Sequence, residues 1–198
     1  MTKRATVYVP RDSVALALGA DAVAARVARE AEARGWPVHV VRTGSRGLHW
    51  LEPMVEVLVG DIRHAYGPVG ADDVPTLFDA GFLEGSAHPL AQGPTEDIDF
   101  LKNQQRLIFA RCGIVDPLSL DDYGAHGGLA GLRRALAMAP PDIIADIAAS
   151  GLRGRGGAAF PAHIKWQTVH DAAAAKKYIV CNADEGDSGT FADRMIME

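Results

Sequence analysis

Apolar positions recur along this chain in two rhythms, one of period two and one near 3.6, and the alternation between them sets out its elements. Thr6 to Val9 is a short β-prone run closed by Pro10. Asp21 to Arg34 is alanine-rich, carries Val23 and Val27 on one helical face, and is stopped by Gly35. Val38 to Val41 and Met54 to Val59 read as two more strands. Ile62 to Tyr66 pairs back across the Gly60-Asp61 turn as a fourth. Arg42 to Trp50 is left as a basic, glycine-containing turn, and Val74 to Phe78 starts a short helix capped from Asp72 or Asp73. Trp36 and Trp50 are assigned to the core in preference to a partner-facing surface.

The rhythm then breaks. Gly85 to Thr95 (GSAHPLAQGPT) has no periodicity and reads as a linker. Beyond it the chain is helical in pieces. Asp97 to Ala110 carries Phe100, Leu101, Leu107, Ile108 and Phe109, Ser119 and Asp122 have capping-box spacing, and Leu129 to Met138 is a further helix. Pro141 to Ser150 has proline at its first position, Asp142 in its first turn, an Ile143, Ile144 and Ile147 stripe, and Gly151 at its end. The expected domains are therefore residues 1–85, a linker over 86–96, and 97–198.

Composition narrows the partners. The chain has 198 residues and a formal charge of -5, which argues against nucleic acid and anionic membranes. No apolar run approaches the roughly 18–20 residues that span a bilayer, and the first residues carry no signal-peptide core. Cys112 and Cys181 lie far apart, which suits reduced thiols better than a disulfide framework. A cytoplasmic protein is expected.

The chemistry concentrates between Gly151 and Asp193. Gly151, Gly154, Gly156 and Gly157 are interleaved with Arg153 and Arg155. Such a loop brings backbone N–H donors close to a ligand, while its arginines neutralise phosphate or an electron-rich ring. Gly154, Gly156 and Ala159 formally satisfy G-x-G-x-x-G/A, yet the preceding segment is helical. The Rossmann context of strand, loop and helix is thus missing. Tyr178 to Cys181 reads as a buried strand that ends in Asn182, Asp184, Glu185 and Asp187, placing acids and amides where open α/β sheets bind ligands. The glycine loop and this strand tip are expected to converge on one site. Cys181 is read as a buried strand residue, Cys112 likewise as structural, Trp166 as core, and His163 and His170 as surface groups.

The runs FLKNQQRLIFARCGIVDPLSLDDY, GLRGRGGAAFP, IKW and VCNADEGDSGTFADR resemble the NADH-binding flavoprotein (diaphorase) subunits of complex I, NAD-reducing hydrogenases and NAD-dependent formate dehydrogenases. The resemblance covers most of Phe100 to Glu198. VYVPRDSVALALGADAVAARVAREAEARG and HAYGPVGADDVPTLFDAGF resemble the N-terminal extension of the formate dehydrogenase beta subunit and related diaphorases, a thioredoxin-like ferredoxin domain. The implied fold is α/β: a cysteine-free thioredoxin-like domain, a helical segment, and the first part of a complex I flavoprotein-type FMN-binding domain. Its ferredoxin relatives hold a [2Fe–2S] cluster on four cysteines. With no cysteine before Cys112, this domain would keep the fold as a docking surface without the cluster.

The resemblance implies FMN and NAD as cofactors. Gly154, Arg155, Gly156 and Gly157 would face them, Phe160 would stack on the adenine, and Lys165 would place a charge on flavin or nucleotide oxygens. Asn182, Asp184 and Glu185 would bond the flavin ring and ribityl chain, and Asp187 would sit beside the nicotinamide ribose. No residue here acts as acid, base, nucleophile or metal ligand. The implied reaction carries electrons from formate oxidation through iron–sulfur clusters and FMN to NAD⁺. Its partners would be an iron–sulfur gamma-type subunit and a molybdopterin-containing alpha subunit. The alternatives are the diaphorase of an NAD-reducing hydrogenase or of complex I and, in another class, a non-catalytic docking module. Three positions depart from the family pattern: Ala159 for glycine, Asp187 for glutamate, and Thr168 for a second adenine-facing aromatic. The chain is read as part of a longer subunit whose C-terminal cysteines hold a [4Fe–4S] cluster.

Overall fold

The computed structural model describes residues 5–198, which cluster into two compact units. One unit comprises the chain up to His126 together with Asp184–Glu198, and the other is Gly127–Ala183.

In the first unit the expected strands form. β1 (Ala5–Pro10) pairs in parallel with β2 (Val38–Thr43), aligning Val7 with Val40. β3 (Val55–Val59) lies antiparallel on the other side of β1, with Val7 opposite Val57 and Tyr8 opposite Glu56, and β4 (Ile62–Tyr66) returns beside it. The spatial order 2-1-3-4, with the β1–β2 pair parallel and the other pairs antiparallel, is that of a thioredoxin-like sheet.

Helices α1 (Ser13–Ala17) and α2 (Ala20–Ala33) make the crossover. The buried positions of α2, namely Ala20, Val23, Ala24, Val27 and Ala31, recur at helical spacing and form a single stripe. That stripe packs with Val7, Val9, Val55 and Val57 of the sheet, and with Leu77 and Phe78 of α3 (Val74–Asp79), to make the main core. Each valine, leucine or phenylalanine side chain fully buried here contributes about 1.5–3 kcal/mol. Asp73 does not cap α3 as expected: its carboxylate accepts from the Gly70 N–H at 2.8 Å. The opposite face of the sheet is covered by a smaller cluster of Leu48, Leu51, Met54, Ala65 and Leu101.

Three expectations in this unit are corrected. The stretch 86–96 is not a plain linker, because Ala91–Pro94 forms β5 on the free edge of β4, with Ala65 opposite Gly93. Small residues without β-branching gave no strand signal, and an edge position tolerates Pro94. Asp97 to Ala110 is not one helix: only a 3-10 turn at Thr95–Asp97 and α4 (Asp99–Lys102) form. Leu101 is its one buried anchor, and Leu107 and Ile108 stay exposed, too little packed surface to extend a helix. Trp36 and Trp50 are 41% and 61% exposed, so neither is core; Trp36 stacks on Phe78 and Trp50 meets Phe100 edge-on.

α5 (Leu120–Ala125) follows with Ser119 as its N-cap, accepting from the Asp122 N–H at 3.1 Å. The Asp122 carboxylate turns instead to the Asp116 N–H, so half of the capping box forms. The unit ends with α9 (Ala192–Met197), numbered in chain order after the three helices of the second unit.

The second unit holds α6 (Ala130–Leu136), α7 (Pro140–Ser150) and α8 (Ala162–Asp171). α7 has prolines in its first turn and a left-handed Gly151 after its end, as its sequence demands. The strand expected at Tyr178 to Cys181 is absent. This run is unpaired, and Tyr178, Ile179 and Val180 are 74%, 101% and 83% exposed. Apolar β-prone residues form a strand only against a partner edge, and no strand among the described residues pairs with them. Cys181 is accordingly exposed rather than buried.

Candidate functional site

The glycine loop is a closed excursion between α7 and α8. The Ala162 N–H donates to Leu152 O at 2.9 Å, and the Gly154 N–H to Phe160 O at 2.8 Å. The Arg153 guanidinium spans the loop to Ala159 O at 2.7 Å. These bonds fix the two legs and leave Arg155 to Ala158 as an exposed tip. A methyl group built at Gly156 or Gly157 would meet nothing within 4 Å, so the tip is bare backbone in open space. Among the described residues, the N–H groups of Arg155, Gly156 and Gly157 make no hydrogen bond, and the Arg155 guanidinium has no ion-pair partner. Gly157 has φ +92° and Ala159 φ +50°. The left-handed turn at 159 explains why glycine suits that position: the alanine methyl carries a steric cost there.

The context of the loop is helix, loop, helix, where the sequence indicated a strand after the glycines. Phe160 is 44% exposed at the foot of the loop, with Lys165 Nζ 5.7 Å from its ring centroid. Thr168 spends its hydroxyl on Ile164 O of its own helix. Trp166 is not core; it is half exposed and lines an apolar groove of about 490 Å³ with Ile143, Ile144 and Val169. His163 is half-buried, and His170 is exposed beside Asp171. Asn182 lies in the exposed run that follows α8.

Asp184, Glu185 and Asp187 belong to the other unit and form a compact turn. The Gly186 N–H returns to Asp184 O at 2.8 Å, and Thr190 donates both its N–H and its hydroxyl to Asp187 O. The Glu185 carboxylate reaches forward to the Arg194 N–H at 2.9 Å, inside the first turn of α9. That backbone bond, helped by the Thr190 hydroxyl and the neighbouring N–H groups, holds its carboxyl below the usual range. Asp184 and Asp187 are exposed. The structure thus brings together Gly154, Arg155, Gly156, Gly157, Phe160 and Lys165 in one unit, and Asp184, Glu185 and Asp187 in the other.

Sequence reasoning passed over a buried polar cluster at the carboxyl end of β1 and in the turn after β2. Asp12, Ser45, Arg46 and Glu52 are each at most 4% exposed. Glu52 accepts from Ser45 Oγ and the Met54 N–H, both at 2.9 Å, and burial pushes its pKa up to about 7. Burial also raises Asp12, which caps α1 through the Ala15 N–H. Arg42 to Trp50 reads in the sequence as a basic, glycine-containing turn; Gly44 and Gly47 were the only hint of close packing. Among the described residues no helix is long and apolar enough to cross a membrane, and no group of His, Cys, Asp or Glu has metal-binding geometry.

Residues 147–198 match the family model described as the Nuo51 FMN-binding domain. The NADP-reducing hydrogenase subunit HndC of Solidesulfovibrio fructosivorans is 48% identical over 97 residues, 49% of this chain and 20% of that protein. The F 2 chain of the NADH-quinone oxidoreductase of Rhizobium meliloti is 54% identical over 93 residues, 46% of this chain and 22% of that protein. The chain therefore spans about a fifth of the length of these relatives. Among solved structures, a thioredoxin-like [2Fe-2S] ferredoxin from Aquifex aeolicus aligns with TM-score 0.43 and 14% identity, over 50% of this chain and 98% of the ferredoxin.

Proposed function

We propose that this chain is part of a diaphorase subunit in which FMN and NAD exchange a hydride. The observation that carries the reading is the tip Arg155–Gly157, inside the segment matching the FMN-binding family model. It presents three unbonded N–H groups and a guanidinium without a partner on backbone that no side chain shields. That donor set fits an anionic, planar cofactor. FMN suits a junction between iron–sulfur clusters and NAD because it takes electrons singly or in pairs. Gly156 and Gly157 leave room for the ring, Arg155 offsets phosphate charge, and Phe160 with Lys165 offers a face and a cation to the nucleotide. Asn182, Asp184 and Asp187 supply acceptors for the ring edge and ribose hydroxyls, with Glu185 completing that set while it anchors the turn. The residues position their ligands and transfer no proton.

The finer reading is a cytoplasmic NAD-dependent formate dehydrogenase, in which electrons reach this chain from a molybdopterin-containing alpha subunit and an iron–sulfur gamma-type subunit. It rests on the cysteine-free thioredoxin-like extension. A four-cysteine cluster does not fit the two separated cysteines of this chain, so the [4Fe–4S] ligands are assigned to further residues of the subunit. The complex purified around the full-length subunit is expected to carry flavin, reduce a dye with NADH, and reduce NAD⁺ with formate. Reduction of NAD⁺ by hydrogen instead would assign it to the hydrogenase branch. Absence of both flavin and NADH-dependent dye reduction would leave a docking module. For that second reading, the pair formed by Trp50 and Phe100, 61% and 41% exposed with ring centroids 5.1 Å apart, offers an aromatic contact surface.

A further inference from the structure

We infer that the thioredoxin-like domain seats α9 and thereby positions the acidic turn Asp184–Asp187, with Ser13 and Gly44 as positioning residues. Ser13 opens α1, at the carboxyl end of β1. Its N–H and its hydroxyl both donate to Glu198 Oε2, at 3.1 and 3.0 Å. Gly44 lies in the buried turn after β2, where an added methyl would stand 3.0 Å from Glu198 O. Its φ is not in the left-handed region, so glycine is needed there for the close approach and not for the backbone. Two further contacts hold the same helix: Gly47 sits against the Met195 side chain, and the His49 and Phe191 rings lie 4.7 Å apart.

From α9 the restraint passes to the acids. Glu185 is tied to the Arg194 N–H in the first turn of that helix, and Asp184 and Asp187 flank Glu185 in a turn closed on itself. A domain without cluster ligands thus acts inside its own chain, as the base on which the carboxylates are set. This rests on the flavin reading of Asp184 and Asp187.

The test uses the full-length subunit with and without FMN. Ser13→Ala, at an exposed position, removes one of the two donors that Ser13 gives the Glu198 carboxylate and leaves the core intact. It is expected to speed amide exchange across 192–197 and to weaken FMN binding about three- to tenfold, while exchange in β1 and β3 stays unchanged. Gly44→Ala should act in the same direction, and Ser13→Thr, which keeps the hydroxyl, should restore both readouts. Unchanged exchange over 192–197 in both variants would overturn the seating of α9. Faster exchange with unaltered FMN affinity, in a protein whose Asp184→Asn variant does lose flavin, would overturn the positioning role. If Asp184→Asn itself leaves FMN affinity unchanged, the flavin reading fails and the inference falls with it, whatever the exchange shows.

Discussion

Arg46 and Glu56 form an ion pair of 2.9 Å in which both side chains are almost wholly buried, 4% and 3% exposed. Arg46 extends the pair to Glu96 at 2.7 Å, and Arg63 approaches Glu56 at 3.3 Å while lying 3.5 Å over the Tyr8 ring. Because Glu56 faces Tyr8 across β1 and β3, this network covers the side of the sheet opposite the main core. Removing Glu56 leaves the buried Arg46 charge offset only by the exposed Glu96. Glu56→Gln keeps the shape and removes the charge, and is expected to lower stability by about 3 kcal/mol. A denaturant midpoint shifted down at unchanged slope is the expected result.

Glu52 makes stability depend on pH. Its folded pKa of about 7 lies above the ordinary 4.5, so the native state holds a proton that the unfolded chain releases. Stability from this group is complete below 4.5, falls as pH rises, and levels off above 7, with about 3 kcal/mol lost across that window. Asp12 is shifted in the same direction by burial, and its charge, like that of Glu56, adds to the shift on Glu52. Glu52→Gln retains acceptor and donor for the Met54 N–H and Ser45 Oγ. Urea unfolding between pH 4 and 8 should show a flatter profile for this variant and greater stability than wild type at the alkaline end.

Ala159 offers a test of the glycine loop. With φ +50° its methyl group disfavours the observed turn. Ala159→Gly is expected to stabilise the loop by about 0.5–1 kcal/mol and Ala159→Val to cost at least as much. Amide exchange of 153–161 reports both. Gly157→Ala, at φ +92°, should loosen the same segment.

The two thiols should differ sharply in reactivity. Cys181 is exposed, whereas Cys112 is half-buried with its Sγ 3.5 Å from Met195 O. Burial raises the Cys112 pKa and leaves less thiolate at neutral pH. Alkylation followed by peptide mass analysis should label Cys181 first.

Much of the thioredoxin-like domain was legible in the chain because its signals are local. Val23 and Val27 declare the buried stripe of α2, and Gly60-Asp61 declares the β3–β4 hairpin. Where an element depends on a partner from elsewhere, the local pattern misled: Ala91–Pro94 looked like a linker and is a strand, because the edge of β4 was available to it. Tyr178 to Cys181 looked like a strand and is not, for want of an edge.

The amino-acid order by itself marked four strands of the sheet, the turn points at glycine and proline, and a glycine loop carrying two arginines. Only the tertiary structure decided that Arg46, Glu52 and Glu56 are buried and that Glu185 is spent on α9. The reason is physical: hydrophobic period and turn chemistry act over a few residues, whereas the burial of a charge depends on which distant groups arrive to pair with it.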